Sequence, residues 1–264
     1  MKELIHDKPL APVTISLFLG LCGFYALNIW AYFHGHTSLF QSFIINILIG
    51  YFIFTPLHEA SHGNVAGSSK HKWLDQIVGE ISGMVLFVPF MMFKILHLRH
   101  HSNTNHPQND PDYWVAQPNF IRILLAAFTI MPHYYRNAIF NPTSRIKEEL
   151  PATLLRKFLM IALIIFISIY FKTVAPLVLW PLSALFSLAI LAIVFDWLPH
   201  QPYRSMERYY DTKIINYKVL TPLLMSQNYH LIHHLYPRIP WYRYGRCFEL
   251  LEKELREKKV EIIG

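Results

Sequence analysis

Cysteine and charge are scarce in this sequence. The two cysteines, Cys22 inside an apolar run and Cys247 near the C-terminus, are too few for a disulfide framework or a cysteine-held iron–sulfur cluster. Charged residues make up 16% of the 264, against 53% for the AVILMFWYC set, and mean hydropathy is +0.26. That balance is not the composition of an ordinary soluble domain, and it points to a membrane protein. No G-x-G-x-x-G string follows any segment, so a dinucleotide cradle is not expected. No internal repeat or low-complexity segment is present. Ahead of the first apolar stretch, Met1 to Asp7 carries Lys2, Glu3 and Asp7 with no small-residue cleavage site behind it, so that stretch is expected to be retained as a span.

The net charge of +7 and pI near 9.3 are compatible with nucleic-acid binding. The basic residues, however, flank apolar runs rather than interleaving with aromatics, which fits membrane orientation and anionic or acidic partners instead. No nucleic acid is expected as a partner. Four runs are long enough to cross a bilayer at about 1.5 Å per residue, namely 11–33, 39–57, 154–171 and 174–198, with Pro181 a kink in the last. Only short joins separate the first from the second and the third from the fourth. The expected fold is therefore a single all-α integral membrane domain over 1–264, with four transmembrane helices in two hairpins. Of 24 Lys and Arg residues, 23 fall on the side from which both hairpins hang and only Lys172 falls opposite, so that side is expected to be cytoplasmic. Segments 58–153 and 199–264 then form a cytoplasmic helical cap. Within it, 77–96 is apolar but broken by Glu80, Ser82, Gly83 and Pro89, and 120–131 contains Arg122; both suit interfacial or re-entrant helices. The charged stretch 248–262 suits a solvated helix.

Against that scarcity of charge stand fifteen histidines, eight of them in three short strings. These are His58 and His62 in H-x₃-H, then His97, His100 and His101 in H-x₂-HH, then His230, His233 and His234 in the same pattern. On a helix, residues three and four apart share a face, so each string can aim its imidazoles at a common point. Eight rings beside a bilayer are costly without a shared partner, and imidazole is a good ligand for Fe, Zn, Cu or Ni. Eight ligands exceed one tetrahedral zinc and suit two metals with open positions, which favours redox chemistry. His6, His34, His36, His71, His106 and His133 fit no string and are expected at surfaces or interfaces. A membrane metal transporter remains an alternative, although such a protein would place ionisable groups near the bilayer midplane rather than at span ends. A structural protein with histidine-rich interfaces is a further one.

In combination, the three strings resemble those of the membrane fatty-acid desaturase superfamily, which includes acyl desaturases, lipid hydroxylases and one type of carotenoid hydroxylase and ketolase. The resemblance runs from about Thr55 to Tyr244. It is supported by Asn109-Asp110-Pro111-Asp112 and by Gln227-Asn228-Tyr229-His230 leading into Tyr236-Pro237-Arg238-Ile239-Pro240-Trp241. It implies a ninth ligand upstream of the third string, which His200 fits, and a polar residue four positions earlier that reaches the metal through water, which Asp196 fits. Glu59, Asp110 and Asp112 are candidates to orient ligand imidazoles through the second ring nitrogen. The resemblance further implies two non-haem irons, O₂ as co-substrate and electrons from an external carrier such as a ferredoxin or a cytochrome b5-like protein. An unactivated CH₂ is beyond any general base, so a redox metal and O₂ suit the chemistry. Desaturation of a fatty-acyl chain is the first expectation, with β-carotene ring hydroxylation or ketolation as the alternative.

Overall fold

The computed structural model describes residues 10–264; His6 and the leading segment lie outside the described residues. Among the described residues, apart from one short pair of strands, the regular structure is helical. Among the described residues, four helices are long and apolar enough to cross a membrane: α1 (Pro12–Phe33), α2 (Leu39–Ser61), α7 (Ser144–Tyr170) and α8 (Ala175–His200). Proline in its first turn, where no N–H is needed, starts α1, and a capping box between Ser38 and Gln41 starts α2. Two of these helices outrun their apolar stretches. Polar residues buried at the functional site continue α2 through Ser61, and α7 opens with a charged turn capped by Thr143, ten residues before its apolar run. Pro181 does not simply kink α8. It sits in a π-helical turn, Val178–Leu182, and a second such turn spans Ala192–Trp197.

Helices α2 and α8 meet at Gly50, where an added Cβ would lie 2.3 Å from the Ser187 hydroxyl. Polar side chains reinforce the contact inside the apolar layer. Asn46 donates to the Leu179 carbonyl at 2.7 Å, Ser187 to the Ile47 carbonyl at 3.0 Å, and Asn28 of α1 to Asn46 at 2.8 Å.

The broken run 77–96 becomes two helices, α3 (Trp73–Val85) and α4 (Phe90–Ser102), bent by 100°. At the bend Trp180 donates to the Met84 carbonyl at 2.5 Å, alongside the backbone N–H of Phe87 at 3.0 Å, and Lys157 donates to the Phe87 carbonyl at 2.7 Å. The close return of α4 onto α3 requires Gly79, because a Cβ there would lie 2.4 Å from the Phe90 ring. Gly79→Val is expected to destabilise the protein by about 1–3 kcal/mol through overpacking. That would appear as a lower unfolding midpoint in detergent, whereas an unchanged midpoint would mean that Phe90 is free to move.

The run 120–131 divides into α5 (Phe120–Ala127) and α6 (Ile130–Phe140). Phe120, Ile121 and Leu125 of α5 face outward while Ile123 and Ala127 are buried, as suits an interfacial helix. A short helix α9 (His230–Leu235) follows, then α10 (Tyr244–Glu257). Although its outer face is charged, α10 buries Cys247, Phe248 and Leu255 against α9 and its neighbours. The chain after α10 forms strand β2 (Ile262–Ile263), paired in parallel with β1 (Ile214–Ile215).

Candidate metal centre

The three strings occupy helix ends that meet at one place: the last turn of α2, the last turns of α4, and α9, with His200 closing α8. Their ring nitrogens fall into two groups. His58, His62, His97, His101 and His233 form one, and His100, His200, His230 and His234 the other; within each group, candidate ligand atoms all lie within 4.8 Å of one another. The two triplets therefore do not each aim at a common point. Each divides, because residues four apart on a helix differ in direction by about 40° whereas adjacent ones differ by about 100°. The i,i+4 pairs His97/His101 and His230/His234 stay together, and the i+3 members cross over. His100 joins the pair from α9, and His233 joins the pair from α4.

The Nε2 atoms face inward at short range. His62 and His97 approach to 2.8 Å, His101 and His233 to 2.8 Å, His58 and His233 to 3.1 Å, and His200 and His230 to 3.1 Å. On the outer side, several Nδ1 atoms meet acceptors: Asp110 at 2.9 Å for His100, Gln227 Oε1 at 3.0 Å for His230 and Asn105 Oδ1 at 3.3 Å for His200. An Nδ1–H donating outward leaves Nε2 with an unprotonated lone pair. His200 and His230 thus turn two lone pairs toward each other at 3.1 Å, an arrangement that repels unless a cation lies between them. The donor set fits metal ions, with neutral imidazoles oriented by outer acceptors.

Electrostatics agree. Burial, reinforced by neighbouring rings, holds His62, His97, His101, His230, His233 and His234 below the ordinary histidine range, in the neutral form that ligation needs. His100 is the exception. Burial works against its charge too, but Asp110 and Asp112 overcome it and lift the ring to about 10. The protein is thus built to stabilise positive charge at that ring, where a metal cation can replace the proton.

Among the expected supporting acids, Asp110 lies closest to a ring and also accepts from the backbone N–H of Asn105 and Asp112 at 2.7 and 2.8 Å. Asp112 lies 3.4 Å from His100 Nδ1 and accepts from Tyr134 at 2.5 Å. Glu59 is 3.8 Å from His58 Nδ1, and its other oxygen accepts from the Trp241 N–H at 3.2 Å, tying the first string to the segment after the third. Asp196 shares a cavity with Asp112 and His100; among the described hydrogen bonds, His200 Nδ1 pairs with Asn105 rather than with Asp196. The π-helical turn immediately before His200 shifts the register on which the i,i+4 relation relies.

Four partners escaped sequence reasoning as such: Asn105 and Gln227 as above, Asp211, 3.8 Å from His234 Nδ1, and Tyr244, whose hydroxyl lies 2.9 Å from His233 Nδ1. Gln227 opens one of the strings that support the resemblance and Tyr244 marks the end of its reach, which was the available signal for them. Of the remaining histidines, His34 and His36 stack on Trp30, and His133 stacks on Trp114.

A cavity of about 40 Å³ opens beside His58, His97, His100 and His230, walled by Phe54 and Leu57 of α2, Leu191 and Phe195 of α8, and Met131 and Tyr134 of α6. A helical protein with four candidate spans and a paired histidine centre against an apolar cavity is the class these features define. The fatty acid desaturase family model matches residues 37–264, and the chain belongs to that family. It is 24% identical over 246 residues to the chloroplastic omega-3 fatty acid desaturase of Sesamum indicum, covering 78% of this chain and 54% of that protein. Its identity to the acyl-lipid omega-3 desaturase (cytochrome b5) of the endoplasmic reticulum of Arabidopsis thaliana is 26% over 228 residues, covering 72% and 57%. With the sn-1 acyl-lipid omega-3 desaturase (ferredoxin) of a Nostoc species it shares 24% over 200 residues, covering 72% and 48%. The chain spans about half the length of these curated relatives.

Proposed function

We propose that this chain is a membrane-bound, O₂-dependent fatty-acyl desaturase with two non-haem irons, one in each histidine group. The observation that carries the proposal is the convergence of nine inward-facing imidazoles, five and four, beside an apolar cavity. Iron, supplied with O₂ and electrons, would provide the oxidant that an unactivated CH₂ demands. The chain's own residues do the rest. His58, His62, His97, His101 and His233 hold one site, and His100, His200, His230 and His234 the other. Asp110, Asp112 and Glu59 fix ring orientation or the loops that carry the rings, and Asp196 places a carboxyl at the cavity wall near the second site. Phe54, Leu57, Leu191 and Phe195 exclude water and hold the methylenes against the histidines.

The spans form two hairpins with the histidines on the cytoplasmic side, as the distribution of Lys and Arg supports. Electrons come from a separate carrier; relatives are named for ferredoxin and for cytochrome b5. Expression in a host that also makes β-carotene is expected to add a double bond to host acyl chains, read by gas chromatography, without zeaxanthin. Zeaxanthin with unchanged acyl chains would assign the protein to ring hydroxylation, and purified protein lacking about two irons per chain would sink the di-iron assignment.

A further inference from the structure

The bent pair α3 and α4 turns back before it reaches the far ends of the spans, and it leaves a space beyond its tip. That space is a groove of about 420 Å³, against about 40 Å³ for the histidine cavity. The last turn of α3 roofs it with Ile81 and Met84, and its walls are Tyr25 and Phe33 of α1, Leu163 and Ile167 of α7, and Trp180 of α8. At its far end the two hairpin turns meet, with the Phe33 and Phe171 rings 6.0 Å apart. The groove shares no lining residue with the histidine cavity. Trp180 precedes His200 by about 30 Å of helix, so the groove lies in the half of the apolar layer opposite the metal centre.

Water does not suit this space. A buried water takes about three polar partners, whereas the N and O atoms on the lining side chains are the Tyr25 hydroxyl and the Trp180 N–H, and the latter is already donated to the Met84 carbonyl at 2.5 Å. Left empty, the walls would forfeit dispersion contacts along their length. The groove also opens sideways, because Phe33, Ile81, Met84 and Leu163 are exposed. On α7 it is continuous with Phe166 and Ile169, exposed apolar residues of the surface that a crossing helix turns to lipid. What reaches an apolar groove from that side is hydrocarbon.

The roof is also where the fold needs support. Phe87, at the bend, is held at φ 57°, a left-handed conformation that a bulky side chain adopts at a cost. Directly beyond the bend, α4 carries His97, His100 and His101 to the metal centre. Packing against the last turn of α3 therefore bears on where those rings sit.

We propose that the groove binds one acyl chain of a bilayer lipid from the leaflet opposite the metal centre, and that this chain braces the bend from which α4 presents its three histidines. The lipid is a resident one, separate from the substrate, and its binding does not depend on the acyl-desaturase function proposed above.

The test uses the full-length, iron-loaded protein in phosphatidylcholine nanodiscs, with a fraction of the lipid carrying a diazirine near the end of one acyl chain. Labelled residues are mapped by mass spectrometry. Met84, Leu163 and Ile167 are expected to label several times more strongly than Phe166, which lies at the same depth on α7 and is 64% exposed. After transfer to detergent, about one lipid per chain should stay bound. Stripping it should lower the unfolding midpoint by about 2–6 °C and speed the loss of iron, and added phosphatidylcholine should reverse both changes. Leu163→Trp and Ile81→Trp, which fill the groove with an indole, should retain no lipid and gain nothing from its addition, whereas Phe166→Trp should behave as the native chain. Labelling of the native protein decides the matter even where a tryptophan variant does not fold. Groove labelling no stronger than that of Phe166, or stability and iron retention unchanged by stripping, would overturn the proposal. So would loss of the label on adding a desaturable acyl-CoA, which would make the groove part of the substrate's path, or cross-links between chains through Ile81, which would make it an interface between copies.

Discussion

His233→Ala is expected to lower iron from about two to about one per chain and to reduce turnover by more than a hundredfold. This ring is the crossing member of its string. It leaves its α9 neighbours to complete the five-histidine group, where its Nε2 lies 3.1 Å from that of His58 and 2.8 Å from that of His101. Alanine removes the only contribution of α9 to that group while leaving His230 and His234 in the other. It also leaves the buried Tyr244 hydroxyl without the ring it meets at 2.9 Å, which adds a structural cost. Tyr244→Phe separates the two effects, because it keeps the aromatic packing and His233 itself. A smaller loss of iron affinity, about tenfold, is expected from it. The measurements are iron per chain by plasma emission spectrometry and product per iron by gas chromatography. His34→Ala, which alters an exposed ring stacked on Trp30, should change neither. Full iron occupancy in His233→Ala would remove this ring from the ligand set.

Much of this arrangement is legible in the residues, and the boundary of legibility has a physical cause. Apolar runs locate spans because bilayer thickness sets their length, so the run 39–57 marks α2 well. They do not locate helix ends, since His58, Glu59 and Ser61 are polar and still helical, being buried at the histidine site instead of in lipid. Interruptions in 77–96 signal that it is no simple span. The 100° bend, however, brings its carbonyls to Trp180 and Lys157, which lie far along the chain and donate to Met84 and Phe87. Histidine spacing reveals that metal can be held, because i,i+4 neighbours share a helix face. It cannot show that His100 and His233 exchange partners, since that requires knowing that α4 and α9 approach each other. Outer partners follow the same rule. Asp110 is visible as an acid close to its histidine in sequence, whereas Asn105, 95 positions from His200, becomes a partner only through the fold.

Asp110→Asn is expected to weaken the four-histidine site selectively, by about ten- to a hundredfold in iron affinity. One carboxylate oxygen meets His100 Nδ1 at 2.9 Å and the Asp112 N–H at 2.8 Å; the other meets the Asn105 N–H at 2.7 Å. Asparagine keeps one acceptor and presents an NH₂ where a donor now points, so either His100 or the loop loses its partner. The loop matters as much as the ring, because Asn105 Oδ1 faces His200 in the same site. The negative charge disappears as well, and with it much of what favours positive charge at His100; the sign of the effect is therefore a loss of cation affinity, not a gain. Asp112→Asn should have a weaker effect, since its contact with His100 is 3.4 Å and its shorter bond is to Tyr134. Iron titration of apoprotein, with one tight and one weakened step in Asp110→Asn against two tight steps in the native chain, would distinguish selective loss from general unfolding. Equal weakening of both steps would mean that Asp110 supports the fold of α4 as a whole and does not act through His100.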